Sequence, residues 1–130
     1  MGFLISIALG GNVALADSTQ DGNWRQGRVY YRLVCTSCHI EVNGKAISPS
    51  EYTIEEWKAY LDKDLHASSG NTTAVQSVRY YLSRRYRESV KDINRAAKKF
   101  LDIPEEELFD DLRAFLIYGA KDSETPQRCR

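Results

Sequence analysis

Methionine is all but missing from this sequence: there is one, at position 1, in 130 residues. Histidine is nearly as scarce, with only His39 and His66, and cysteine occurs three times, at positions 35, 38 and 129. Chemistry that needs a thioether or a cluster of imidazoles therefore has very few candidate residues. Three prolines and eight glycines leave few chain breaks, which favours helix over a loop-rich fold. No alternating apolar–polar segment of any length occurs, so a half-buried sheet is not expected. Neither sign of charge dominates, since 18 Lys and Arg balance 18 Asp and Glu. Without a net charge, no global field favours nucleic acid or an acidic membrane. Internal repeats and low-complexity tracts are absent too. What is present is ordinary for one globular domain: 42% hydrophobic and 28% charged residues, too apolar for a disordered chain.

No apolar run approaches the roughly 20 residues that a membrane-spanning helix needs. The nearest is at the start, in "MGFLISIALGGNVALADSTQ", where Phe3 to Leu9 are apolar and the stretch extends weakly to Val13. Ala14-Leu15-Ala16 then offers the small residues at the first and third places that a signal peptidase accepts. The expectation is a cleaved secretory signal over 1–16, although a positively charged leading region is missing. An uncleaved anchor and a buried strand are the alternatives. No charge precedes Asp17, so the mature chain keeps a net charge of zero. Export would deliver the cysteines to an oxidising compartment.

After a polar, loose stretch over 17–23, Val29, Tyr30, Leu33 and Val34 predict a helix from Trp24 to about Val34, ended by Cys-Thr-Ser-Cys-His. Asn43-Gly44 marks a turn and Pro49 fixes the backbone. Thr53-Ile54-Glu55-Glu56 is a capping box that opens a second helix carrying Trp57, Tyr60, Leu61 and Leu65, with His66 at its end. "ASSGNTT", 67–73, is a break. Val75, Val78, Leu82, Tyr86, Val90, Ile93, Ala97 and Phe100 follow helical steps, predicting one helix over 74–101 or two bent near Ser89. Pro104 and three glutamates start the last helix, striped by Leu108, Leu112, Phe115 and Leu116 and ended by Gly119. The tail, 121–130, is polar and expected to be mobile. Four or five helices and no sheet make an all-α domain over 24–120.

The chemistry concentrates in Cys35-Thr36-Ser37-Cys38-His39. A structural zinc ion wants four ligands, and C-x-x-C is normally matched by a second close pair of Cys or His. Here His66 and Cys129 are isolated from one another in sequence. A redox dithiol is expected at a strand-to-helix junction in a βαβ context, which this chain lacks. C-x-x-C-H is also the attachment signal for c-type haem. Two thiols add to the two vinyl groups on one porphyrin edge, and the following imidazole lies under the iron. Such attachment occurs on the exported side of a membrane, which agrees with the leader.

Gly27-Arg28-Val29-Tyr30-Tyr31-Arg32-Leu33-Val34-Cys35 resembles the N-terminal helix of class I c-type cytochromes, with Gly27 eight places and Tyr31 four places before the first cysteine. "LFDDLRAFLIYGA" resembles that family's last helix, with Phe115 as the aromatic that packs across the glycine. Pro49, ten residues after His39, stands where the family often has a proline whose carbonyl receives the proximal histidine's second N–H. The likeness is good at the two ends of the domain, while the middle is longer and more charged. It implies a small helical domain wrapped around one covalently bound haem c, with Cys35 and Cys38 as thioether attachments, His39 as proximal ligand, and Tyr31, Pro49, Trp57 and Phe115 in the haem pocket. Tyr30, Tyr80 and Tyr81 are further expected to line or support it.

The departure from that family is the missing distal methionine. His66, 27 residues after His39, is the expected sixth ligand. Two imidazoles lack the thioether that raises the potential, so a low-spin, low-potential centre follows. The implied function is electron transfer, not enzymic catalysis, in the periplasm or extracellular space, with redox proteins as partners and no nucleic acid. Alternatives are a gas- or peroxide-reactive haem sensor or enzyme with an open sixth site, and a haem subunit of a larger respiratory or polymeric assembly. Membrane association is left open, and Cys129 offers a route to a disulfide-linked dimer. The basic run Arg79, Arg84, Arg85, Arg87 and Lys91 has two readings. It is a solvated face balanced by Glu105–Glu107, Asp110 and Asp111, or a source of partners for haem propionates or an acidic protein.

Overall fold

The computed structural model describes residues 22–37, 39, 46–66 and 75–128. The expected leader over 1–16, Cys38, the Asn43-Gly44 turn, the 67–73 break and Cys129 lie outside the described residues. Among those described there is helix and no strand, so the chain is all-α. None of these helices is long and apolar enough to cross a membrane.

Helix α1 spans Trp24–Tyr30. Asn23 caps it, its Oδ1 accepting from the Arg25 and Gln26 amides. The sequence predicts a simple helix that stops at the cysteines, but the backbone instead widens into a π-helical turn, Tyr31–Cys35. The amide of Thr36 reaches back to the Tyr31 carbonyl, and the Thr36 hydroxyl donates to the Arg32 carbonyl. This back-bonding competes with the regular ladder. Helical backbone resumes at Thr36 and Ser37 and includes His39.

A short 3₁₀ turn, Pro49–Glu51, precedes α2, Ile54–Asp62. The capping box is present in both directions: Thr53 Oγ1 accepts from the Glu56 amide, and Glu56 Oε2 accepts from the Thr53 amide. The pattern over 74–101 does not form one helix. It gives α3, Val78–Leu82, α4, Arg84–Val90, and α5, Arg95–Lys98. Ser83 is the reason for the first break. It leaves the helical region at ψ 148°, its Oγ donates to the Tyr80 carbonyl, and it accepts from the Tyr86 amide. One serine thus ends one helix and caps the next. Asn94 does the same before α5, and its amide also donates to the Leu33 carbonyl at 2.8 Å. The break re-aims the apolar stripe: Leu82, Ala97 and Phe100 are buried, while Ile93 is 88% exposed.

Helix α6, Glu105–Tyr118, follows Pro104, carries three glutamates in its first turn and ends at Gly119. It forms the most extensive helix pair of the molecule, with α1. A Cβ on Gly27 would overlap the Asp111 carbonyl oxygen, so only glycine allows the two backbones this close. Phe115 was expected over Gly27; it packs one turn further on, against Tyr31, with ring centres 5.5 Å apart. Trp24 stacks on Tyr118 at 4.2 Å. Asp111, read from sequence as part of a solvated acidic cluster, is buried and accepts from the Asn23 amide and the Gln26 side chain. Each large apolar residue in the shared core, such as Leu82, Leu108 or Phe115, contributes roughly 1.5–3 kcal/mol by burial.

The tail is held as far as it is described. The Lys121 amide donates to the Tyr52 carbonyl, Gln127 donates to Gly119, and Ser50 donates back to Gln127. These bonds occupy backbone groups that a mobile segment would leave to water, so the expectation of a loose end fails for 121–128.

Candidate functional site

His39 is carried on the helical backbone that follows the π turn. His66 lies four residues past the end of α2. Asp64 turns the chain there, with φ 50°, a left-handed conformation that Asp tolerates better than most residues. Its carboxylate accepts from the Ser77 hydroxyl at 2.6 Å and the Arg79 amide at 2.9 Å. The end of α2 is thereby fastened to the start of α3, on the far side of residues 67–74.

This closure brings His66 to His39. Their ring centres are 5.9 Å apart, with the planes at 73°. Tyr81 of α3 lies against His66 as well, at 4.3 Å. The Nδ1 atoms of both histidines are buried and have no hydrogen-bond partner. Buried polar atoms are nearly always paired, so two unpaired imidazole nitrogens at one place call for a ligand. Burial lowers the pKa of His39, and burial together with the neighbouring His39 lowers that of His66. Both rings are thus held neutral, the form in which imidazole binds a metal. Two imidazoles on one metal have ring centres roughly 6 Å apart, because each metal–nitrogen bond is about 2 Å and the remainder is ring. The spacing found here fits that demand.

Cys35 is half-buried in the π turn. It lies near enough to Tyr30 to oppose ionisation of the phenol, whose pKa is pushed far up mainly by burial. Among the described residues, no three of His, Cys, Asp and Glu gather as a single metal ion would need. The described donors at this place are a facing pair of imidazoles.

The remaining expected site residues lie in the core and its margins. Tyr31 is buried and its hydroxyl donates to the Ile47 carbonyl at 2.5 Å. Trp57 is buried in a corner with Tyr52 and Tyr60, and its indole N–H donates to the Pro49 carbonyl at 2.7 Å. The Pro49 carbonyl, expected to receive the second N–H of His39, accepts the Trp57 indole N–H instead. Tyr30 donates to the Tyr81 carbonyl at 2.5 Å, joining α1 to the residue against His66. Tyr80 and Tyr86 flank Tyr81 at 5.1 and 5.0 Å.

Three features escape the sequence reading. Asp64 is one; nothing in "LDKDLH" marks it as the clamp. Tyr86 beside Tyr81 is another. The third is Arg87, which is fully buried instead of solvated. Its guanidinium donates to the carbonyls of Phe100 and Ile103, its Nε donates to Ser83, and Nη2 is unpaired. Its neighbours in the basic run behave as a surface face: Arg79 pairs with Glu106 and Arg84 with Glu88, all four well exposed.

Compared with protein-family models, curated proteins and solved structures, the chain matches none of them.

Proposed function

We propose that this chain is an electron-transfer protein bearing one c-type haem, joined through Cys35 and Cys38 and ligated by His39 and His66. The observation that carries the reading is the meeting of His66 with His39, next to a C-x-x-C-H run, from positions 27 residues apart. The proposal includes the resemblance to class I c-type cytochromes, export to an oxidising compartment, and redox proteins as partners.

The haem, when bound, supplies a one-electron couple at its iron. The residues of this chain do the rest. Cys35, in the π turn, and Cys38 would hold the porphyrin covalently. His39 and His66, both held neutral, would supply nitrogen to the iron from two elements braced against each other. Ligation by both histidines would leave no exchangeable site for peroxide or gas, which favours a carrier over a sensor or peroxidase. Tyr31, Val34 and Phe115 close the apolar side and exclude water. An apolar shell and a ligand pair without thioether both bear on the potential, and the expected value is negative.

Zinc is the competing reading that the histidine pair revives. A tetrahedral ion would need Cys35 drawn in with the two rings. The C-x-x-C-H spacing favours covalent attachment of a porphyrin, and among the described residues no three of His, Cys, Asp and Glu gather as a zinc ion would need.

The test is a pyridine haemochrome spectrum and an intact mass of protein made with a c-type maturation system. One haem per chain, low-spin in both oxidation states, is expected. Cys35→Ala with Cys38→Ala should abolish attachment, and His66→Ala should lose the low-spin bands. A colourless product with the mass of the bare chain rejects the function; unchanged bands in His66→Ala reject that ligand.

A further inference from the structure

We propose that Tyr81 is a positioning residue that holds His66 in place opposite His39; this rests on the reading of His66 as a ligand. His66 stands beyond the last turn of α2, so its own helix does not orient its ring. The ring instead meets two others, His39 at 5.9 Å and Tyr81 at 4.3 Å, the latter tilted by 36°. Tyr81 is fixed from several directions. Its carbonyl accepts the Tyr30 hydroxyl, which anchors it to α1. Its phenol oxygen accepts the Val75 amide at 3.0 Å. Its ring meets Tyr80 and Tyr86 edge-on.

Val75 gives the second link. Its amide is held by the Tyr81 phenol. Tyr81 therefore acts twice, on the His66 ring by contact and on the backbone at Val75 through its phenol. The ring contact limits rotation and retreat of the imidazole. Without Tyr81 the covalent attachment at the cysteines and the His39 bond would survive, while the His66 bond would open more often.

Carbon monoxide binding to the ferrous protein reads that opening directly, because the gas enters only when His66 leaves, and its apparent rate scales with the open fraction. His66→Ala sets the upper limit. Tyr81→Leu is expected to bind on the order of tenfold faster than wild type, to show a ferric high-spin fraction, and to regain the low-spin spectrum when imidazole is added. Tyr81→Phe keeps the ring and loses the phenol link; it should fall between wild type and Tyr81→Leu. Tyr80→Leu, a neighbouring ring that does not face His66, should behave like wild type. Far-UV circular dichroism and haem content are measured on each variant, and rates are compared among variants that retain both. Wild-type kinetics in Tyr81→Leu, or equal acceleration in Tyr80→Leu, overturns the proposal while leaving His66 as ligand. Wild-type kinetics in His66→Ala overturns the ligand reading and this inference with it.

Discussion

At the scale of single residues, the closest tolerance in the molecule is at Gly27. Any side chain there meets the Asp111 backbone, which cannot move without shifting α6. Gly27→Ala is expected to cost at least about 1–3 kcal/mol, the usual range for overpacking. It should lower the urea midpoint without changing the dependence on denaturant; a midpoint equal to wild type would show that the helices can part at no cost. Arg87 makes the contrary point about charge. A buried guanidinium is tolerated because its fork of donors meets carbonyls at Ser83, Phe100 and Ile103. In sequence it is one of four arginines within nine residues, and nothing there separates it from Arg84 or Arg85. Burial is decided by which side of α4 the fold turns inward.

At the scale of elements, local chemistry sets the ends of helices and tertiary geometry sets their length. The capping box of α2 is legible in four residues and present as read. Thr53→Ala should destabilise the protein by about 1 kcal/mol, measured by urea denaturation. Glu56 has its pKa lowered, chiefly by hydrogen bonds from the Thr53 amide and side chain. A depressed carboxylate contributes stability above its ordinary 4.5 and loses it as pH falls through the folded-state value. The stability difference between wild type and Glu56→Gln should therefore be present at neutral pH and disappear in acid below that range. A difference that persists there would mean the carboxylate's charge plays no part. The stretch after residue 74 shows the opposite case. Its apolar residues keep helical spacing across Ser83 and Asn94, so periodicity alone reads through two breaks that side-chain hydrogen bonds impose.

At the scale of the whole molecule, the fold joins residues from both ends of the domain. Helices α1 and α6 cross at Gly27 and Asp111, Asn94 ties α5 to the π turn, and Asp64 ties α2 to α3. The two histidines meet where these ties converge. A group bound by both would bridge α1 to the end of α2 and stabilise the native state by linkage. Haem-bearing wild type is expected to exceed the Cys35→Ser, Cys38→Ser chain by about 2 kcal/mol or more, a rise in thermal midpoint of roughly 8 °C in a domain of this size. Equal midpoints by circular dichroism would show that the pair is not bridged.

The C-x-x-C-H run, the scarcity of histidine and methionine, the all-helical class and the caps of α2 and α6 were legible in sequence alone, because each depends on residue type and short-range spacing. Only the tertiary structure decided that His66 faces His39 with Tyr81 against it, that Pro49 serves Trp57, and that Arg87 and Asp111 are inside. Those outcomes depend on where the chain turns at Asp64, Ser83 and Asn94, and on how close a glycine lets two helices come. A turn of that kind is made by a few hydrogen bonds between residues far apart in the chain, and no local pattern records it.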